Sequence, residues 1–151
     1  MSGVTLETPS DREVELRTIM RVRDLCPDTT FTRFPDKSVV DFALIRGGEV
    51  VHLIEVKTRK EEASVVKSYG GLILKQKKRE ELHSLSEAMK VPASVVFSFS
   101  NAEGEMWRTI PLGDIDAEPV APPRRRNYRG LACDEDLVLF LDWDKHIERI
   151  A

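Results

Sequence analysis

The stretch Ser38-Val-Val-Asp41-Phe-Ala-Leu-Ile-Arg-Gly-Gly-Glu-Val-Val-His-Leu-Ile-Glu55-Val-Lys57 decides how this chain is read. Two apolar runs, Ser38 to Ile45 and Glu49 to Thr58, flank Gly47-Gly48, and that pattern predicts an antiparallel hairpin. Both runs are apolar at nearly every position, as expected of strands in a sheet covered on both faces. Three charges interrupt them: Asp41, Glu55 and Lys57. An isolated carboxylate in such a strand costs several kcal/mol, roughly, so it is expected to be paired or to bind metal.

Strand geometry turns that expectation into a statement about register. Alternate residues share a face, so Glu55 and Lys57 point one way and Val56 the other. A loop with an even number of residues would set Asp41 opposite Ile54, on the wrong face. A three-residue turn Arg46-Gly47-Gly48, with Gly48 left-handed, sets Asp41 across from Leu53 and beside Glu55. That turn, or an equivalent bulge, is predicted; a regular two-residue turn with no bulge would dismantle the site. On one face, Asp41 and Glu55 suit Mg²⁺, a hard ion held by one or two carboxylates, with the main-chain carbonyl of Val56 as a further ligand. Lys57 then orients the nucleophile or offsets charge growing on a phosphorane, which is the chemistry of phosphodiester hydrolysis.

Working outward, Ser10-Asp11-Arg12-Glu13 has the form of a capping box, and Leu16, Ile19 and Met20 continue at helical spacing. A first helix is expected from about Asp11 to Leu25, ended by Pro27, and a first strand from Thr29 to Phe34. After the hairpin, Leu72 to Lys90 returns to helical spacing, with Leu72, Leu82, Leu85 and Met89 inward and a charged opposite side, until Pro92 stops it. Strands are expected at Ala93 to Ser100 and Met106 to Leu112, giving the order αβββαββ. An irregular Pro- and Arg-rich loop, Glu118 to Gly130, leads to a last apolar strand, Asp136 to Trp143.

A chain of 151 residues fits one domain spanning 1–151, because two cores would each be marginal. No apolar run approaches a membrane span, and the N-terminus has neither a basic nor an apolar leader region, so no membrane partner and a cytoplasmic location are expected. Cys26 and Cys133 lack metal-ligand spacing and are expected to be reduced thiols. The net charge of -3 argues against a protein that coats nucleic acid, yet two basic stretches stand out. These are Lys75-Gln76-Lys77-Lys78-Arg79 and Arg124-Arg125-Arg126, of which Lys75, Lys77, Lys78 and the three arginines are candidates to grip a phosphate backbone.

The strand-borne Asp41 and Glu55-Val56-Lys57, with the Gly-Gly hairpin and the Lys- and Gln-rich helix that follows, resemble the PD-(D/E)XK nuclease superfamily of restriction enzymes, junction resolvases and phage nucleases. Tyr69-Gly-Gly-Leu-Ile-Leu before that helix also resembles small phage and prophage members. The resemblance covers roughly residues 10 to 112. It implies an α/β fold: one restriction-endonuclease-like domain with a mixed central sheet flanked by helices, on an αβββαβ core. It implies Asp41 and Glu55 as metal ligands and Lys57 as a catalytic residue, with a supporting helix residue at Gln76 or Lys77 and, in resolvase-like members, a first-helix Glu at Glu13 or Glu15. The expected function is a Mg²⁺-dependent deoxyribonuclease, with Mn²⁺ able to substitute, directed to DNA structure or ends and dimeric where two cuts are needed. The alternative is a module that keeps the fold but only binds DNA or protein.

Bland readings stand beside these. Glu-x-Lys is common on charged strands as a cross-strand ion pair, Glu13 is accounted for by the capping box, and Gln76 to Lys78 suit a solvated helix face. Pro35-Asp36 lies before the strand and is not assigned the metal. His52, His83 and His146 show no zinc spacing, and His52 is expected to be a packed strand residue.

Overall fold

The computed structural model describes residues 9–59, 72–101, 104–115 and 138–141. Helix α1 (Pro9–Leu25) begins two residues earlier than expected, so Ser10 lies inside it and does not cap it. Proline is at home at a helix start, where its missing N–H has no intrahelical partner to lose. The helix closes as the Cys26 N–H bonds the Arg23 carbonyl at 3.0 Å and the Thr29 hydroxyl bonds the Cys26 carbonyl at 2.7 Å, with Asp28 left-handed. Cys26 is a buried free thiol, and Cys133 lies outside the described residues.

Strands β1 (Thr30–Arg33), β2 (Phe42–Arg46) and β3 (Glu49–Arg59) follow as an antiparallel meander. The hairpin turn has two residues, not three: Arg46 pairs with Glu49, and Gly47 and Gly48 both take positive φ, 60° and 79°. That backbone suits the right-handed twist of the flanking strands, and glycine reaches it without steric cost. The odd residue is supplied further along, by a bulge where Leu44 pairs with His52 but Ile45 with Val50. The predicted parity therefore holds through the bulge and not through the turn. Phe42 faces Ile54, so Asp41, one residue earlier, falls across from Glu55 and not Leu53.

The expected helix from Leu72 to Lys90 divides. Its first four residues form β4 (Leu72–Lys75), and α2 runs Gln76–Met89. Strand β4 pairs antiparallel with β7 (Val138–Leu141), which lies within the expected last strand, in a separate two-stranded sheet. A pairing this distant in sequence overrides the local helical spacing at Leu72. Helix α2 ends as predicted before Pro92, with Lys90 left-handed and the Lys90 and Val91 N–H groups bonding the Glu87 and Ser86 carbonyls.

Strands β5 (Ala93–Asn101) and β6 (Gly104–Pro111) complete a five-stranded sheet of order β1-β2-β3-β5-β6, antiparallel except where β3 meets β5. A parallel neighbour demands a crossover connection, and α2 lies in it. The sheet is thus covered on both faces, as its apolar strands required. One face packs Phe42, Leu44, Ile54, Val56 and Val96 under Ile19 and Val22 of α1. The other packs Ala43, Leu53, Val95, Phe97 and Phe99 under Leu82 of α2, Leu74 of β4 and Leu139 of β7. Leu85 is partly buried there as expected, whereas Met89 is exposed. Among the described residues, no helix is long and apolar enough to cross a membrane. The loop at 118–130, with Arg124, Arg125 and Arg126, lies outside the described residues, as do Tyr69 and His146.

Candidate active site

Strand β3 alternates Leu53, Glu55 and Lys57 onto the α2 face. Glu55 is 4% exposed in spite of its charge. Its Oε2 lies 3.3 Å from the Lys57 ammonium and 3.5 Å from that of Lys78. Its Oε1 is buried and has no hydrogen-bond partner. Burial pushes the Glu55 carboxyl up to about 7; the neighbouring Asp41 charge pushes the same way, and Lys57 and Lys78 pull it back.

Asp41 is set where β2 leaves the ladder. In the register that pairs Phe42 with Ile54, the Val56 N–H would next bond the Val40 carbonyl. It donates instead to the Asp41 Oδ2 at 2.8 Å. A carboxylate thus takes the place of a backbone acceptor, β2 is released from β3, and Asp41 is pinned beside the strand that carries Glu55. Within a strand, the N–H and C=O of one residue point to the same edge, so the Val56 carbonyl also faces this opening. The Asp41 carbonyl accepts from the Phe34 N–H at 2.9 Å, tying the same segment to the end of β1.

Helix α2 closes the site from above. Lys78 donates to the Val39 carbonyl at 2.8 Å while facing Glu55, and Glu81 Oε1 is 4.0 Å from its ammonium. The sequence places Lys78 among the residues expected to grip a phosphate backbone; the structure turns it inward. The signal was present, since the inward row Leu85 and Leu82, carried one turn back at i−4, arrives at Lys78. Gln76 is partly buried at the start of α2, its amide nitrogen 3.1 Å from Glu80 and its Oε1 buried without a partner. Lys75 and Lys77 are exposed on the same helix start.

The other candidates lie elsewhere. Glu13 is exposed. Glu15 is buried, but its Oε1 pairs with Arg33 at 3.1 Å, and Arg33 lies over the Phe42 ring on the α1 face of the sheet. Asp36 pairs with Arg12 at the surface, in keeping with its exclusion from the metal set. His52 is packed as expected, its Nε2 2.8 Å from the Ser94 hydroxyl, and burial lowers its pKa to about 4.

Among the described residues, no three His, Cys, Asp or Glu side chains form a metal-binding group, so the protein offers two carboxylates and not a closed cage. That donor set suits a hard cation that keeps several waters, and the unpartnered Glu55 Oε1 is an open valence for one.

A mixed sheet between helices, with Asp and Glu-x-Lys carried by adjacent strands, is the arrangement of the PD-(D/E)XK nucleases. Residues 2–107 match the family described as "Phage putative PDDEXK endonuclease", and the chain belongs to that family. Among solved structures it is similar to Hjc, a Holliday junction resolvase from the archaeal hyperthermophile Archaeoglobus fulgidus. The two share 20% identity and a TM-score of 0.48 over 68% of this chain and 72% of that one. No curated protein sequence matches the chain.

Proposed function

We propose that this chain is a divalent-metal-dependent deoxyribonuclease that hydrolyses phosphodiester bonds, with Mg²⁺ as the working ion and Mn²⁺ able to replace it. The observation that carries this reading is Glu55. A carboxylate almost wholly buried, with one oxygen held by two lysines and the other bonded to nothing, is costly unless a cation completes it. Asp41 and Glu55 would hold the ion, with the Val56 carbonyl on the same edge as a third oxygen. When bound, the ion supplies a Lewis acid for the phosphate and a water of lowered pKa.

The chain's own groups do the rest. The Val56 N–H fixes Asp41, so that this carboxylate is oriented before substrate arrives. Lys57, held against Glu55, places a positive charge beside the site, where it offsets charge developing on a phosphate. Gln76, at the start of α2, keeps a buried carbonyl oxygen without a partner and is the helix residue assigned to support these groups. Exposed Lys75 and Lys77, with Arg124, Arg125 and Arg126, supply phosphate contacts that carry no sequence information. The chain's recognition is directed to DNA structure or ends, and it acts as a homodimer where two strands are cut.

The test is cleavage of a mixed panel of duplex, single-stranded, flapped and four-way DNA substrates under Mg²⁺ or Mn²⁺ titration. Wild type is expected to cut only with metal, and Glu55→Ala and Lys57→Ala to lose at least about a hundredfold in rate, the scale of one lost charge-stabilising group. Cleavage surviving both changes would reject the assignment; metal-independent DNA binding without cleavage would favour a binding module on the same fold.

A further inference from the structure

Lys78 makes three contacts that the nuclease reading leaves without a use. Its ammonium donates to the Val39 carbonyl at 2.8 Å, faces Glu55 Oε2 at 3.5 Å and has Glu81 Oε1 at 4.0 Å. The first contact is the tightest and joins α2 to the segment two residues ahead of Asp41. The second joins α2 to β3. Lys78 therefore spans the two backbone segments whose spacing decides whether Asp41 and Glu55 share a ligand. With Lys57 it also offsets charge: two lysines stand against the carboxylates of Asp41, Glu55 and Glu81, one cation short of balance.

We propose that Lys78 is a positioning residue that acts as an internal stand-in for the metal. In the metal-free protein it holds Glu55 and the Val39–Asp41 segment together. When a divalent ion loads, it yields Glu55 and turns toward Glu81, with the Val39 carbonyl as a fixed pivot. The affinity of the site for metal is then set by a competition in which Lys78 is the losing cation and Glu81 the residue that receives it. This rests on the metal-site reading of Asp41 and Glu55 and adds the device that controls loading.

The competition has a sign that a scaffold does not. Removing a cation from a half-buried site strengthens binding of another cation there, whereas removing a strut that orders two ligands weakens it. Mn²⁺ binding is to be measured by calorimetry on DNA-free protein for wild type, Lys78→Met, Glu81→Gln and the double variant. Lys78→Met is expected to bind Mn²⁺ about tenfold more tightly, with the metal-free protein melting at lower temperature and the metal-loaded protein close to wild type. Glu81→Gln lies on a partly exposed side chain and so keeps the fold; it should weaken Mn²⁺ about two- to threefold, because Lys78 loses its second partner. In the Lys78→Met background the Glu81→Gln effect should disappear.

Unchanged or weaker Mn²⁺ binding by Lys78→Met would overturn the proposal, as would a Glu81→Gln effect that persists without Lys78. Should Lys78→Met fail to fold, a Glu81→Gln protein that binds Mn²⁺ as well as wild type overturns it equally. Tight binding by wild type with either of these results leaves the metal site standing and removes only the competition. A wild type that binds no Mn²⁺ at all removes both.

Discussion

The two faces of the central sheet treat buried polar groups differently. On the α1 face they close on one another. Glu15 meets Arg33 at 3.1 Å, the Trp107 indole N–H meets the Thr18 hydroxyl at 3.0 Å, Thr18 in turn bonds the Val14 carbonyl at 2.8 Å, and His52 meets Ser94. On the α2 face, two lysines crowd one oxygen of Glu55 while its other oxygen, and that of Gln76, have no partner. Buried polarity by itself therefore does not mark a site: Glu15 is about as hidden as Glu55 and is structurally satisfied. What marks the site is acceptor capacity left open in a place where leaving it open is expensive.

The largest expected separation is between the two buried glutamates. Glu55→Gln keeps the volume and removes the charge; cleavage should fall by about a hundredfold or more, while the metal-free fold is retained. Glu15→Gln should do the reverse. It leaves Arg33 with a weaker partner and should lower stability by about 1–3 kcal/mol in denaturant titration, with cleavage by the folded protein within about twofold of wild type. A Glu15→Gln protein that is stable but inactive would move the catalytic boundary onto the α1 face and break the contrast.

A second separation is in pH. Glu55 is raised to about 7 in the folded protein, from an ordinary value of 4.5, so between those limits the native state keeps a proton the unfolded chain has released. Its contribution to stability is complete below 4.5 and lost as pH rises through 7. His52 is lowered to about 4 from 6.5, so its contribution is complete above 6.5 and lost as pH falls toward 4. The two slopes oppose each other and flatten the metal-free wild-type curve between about pH 4.5 and 6.5. Glu55→Gln should leave only the acid-sensitive limb and be the more stable protein at pH 8, by on the order of 3 kcal/mol if the whole shift is expressed. His52→Gln should leave only the alkaline-sensitive limb. Melting temperatures across pH 4 to 8, taken with chelator, check both, and parallel curves for the two variants would contradict the assignment. Saturating Mg²⁺ should steepen the wild-type curve by removing the Glu55 limb, since a bound cation replaces the proton.

How much of this was legible follows from which interactions are local. The alternation of Glu55 and Lys57, the Gly47-Gly48 turn and the need for one extra residue between Asp41 and Glu55 all come from strand period and charge cost. Where the extra residue would fall does not, because the bulge sits among Val50, Val51 and His52, none of which marks its own irregularity. Leu72 to Lys75 reads as helix because its apolar spacing continues into α2, and its true partner, Val138 to Leu141, is out of reach of any window along the chain. Lys78 reads as a surface residue because lysine usually is one, although the helical row ending in Leu82 already turns it inward. The resemblance to the family proposed roles for Asp41, Glu55 and Lys57 at once. It did not separate Glu15 from Glu55, which required seeing that Arg33 and Phe42 share the opposite face.

One atom runs against the contrast and offers its smallest test. Ser98 lies on the α1 side of β5, alternating with Val96, and its hydroxyl is buried with no partner. An unmet hydroxyl is neutral and small, so the cost of hiding it falls well below that of a carboxylate, and no cation is needed to account for it. If the α1 face is structural throughout, Ser98→Ala should leave cleavage and Mn²⁺ affinity unchanged and should stabilise the protein by about 0.5–1 kcal/mol, because a desolvated polar atom is removed with little change of volume. Loss of cleavage in a Ser98→Ala protein of undiminished stability would mean that the hydroxyl is kept for a ligand. The α1 face would then carry an open valence of its own.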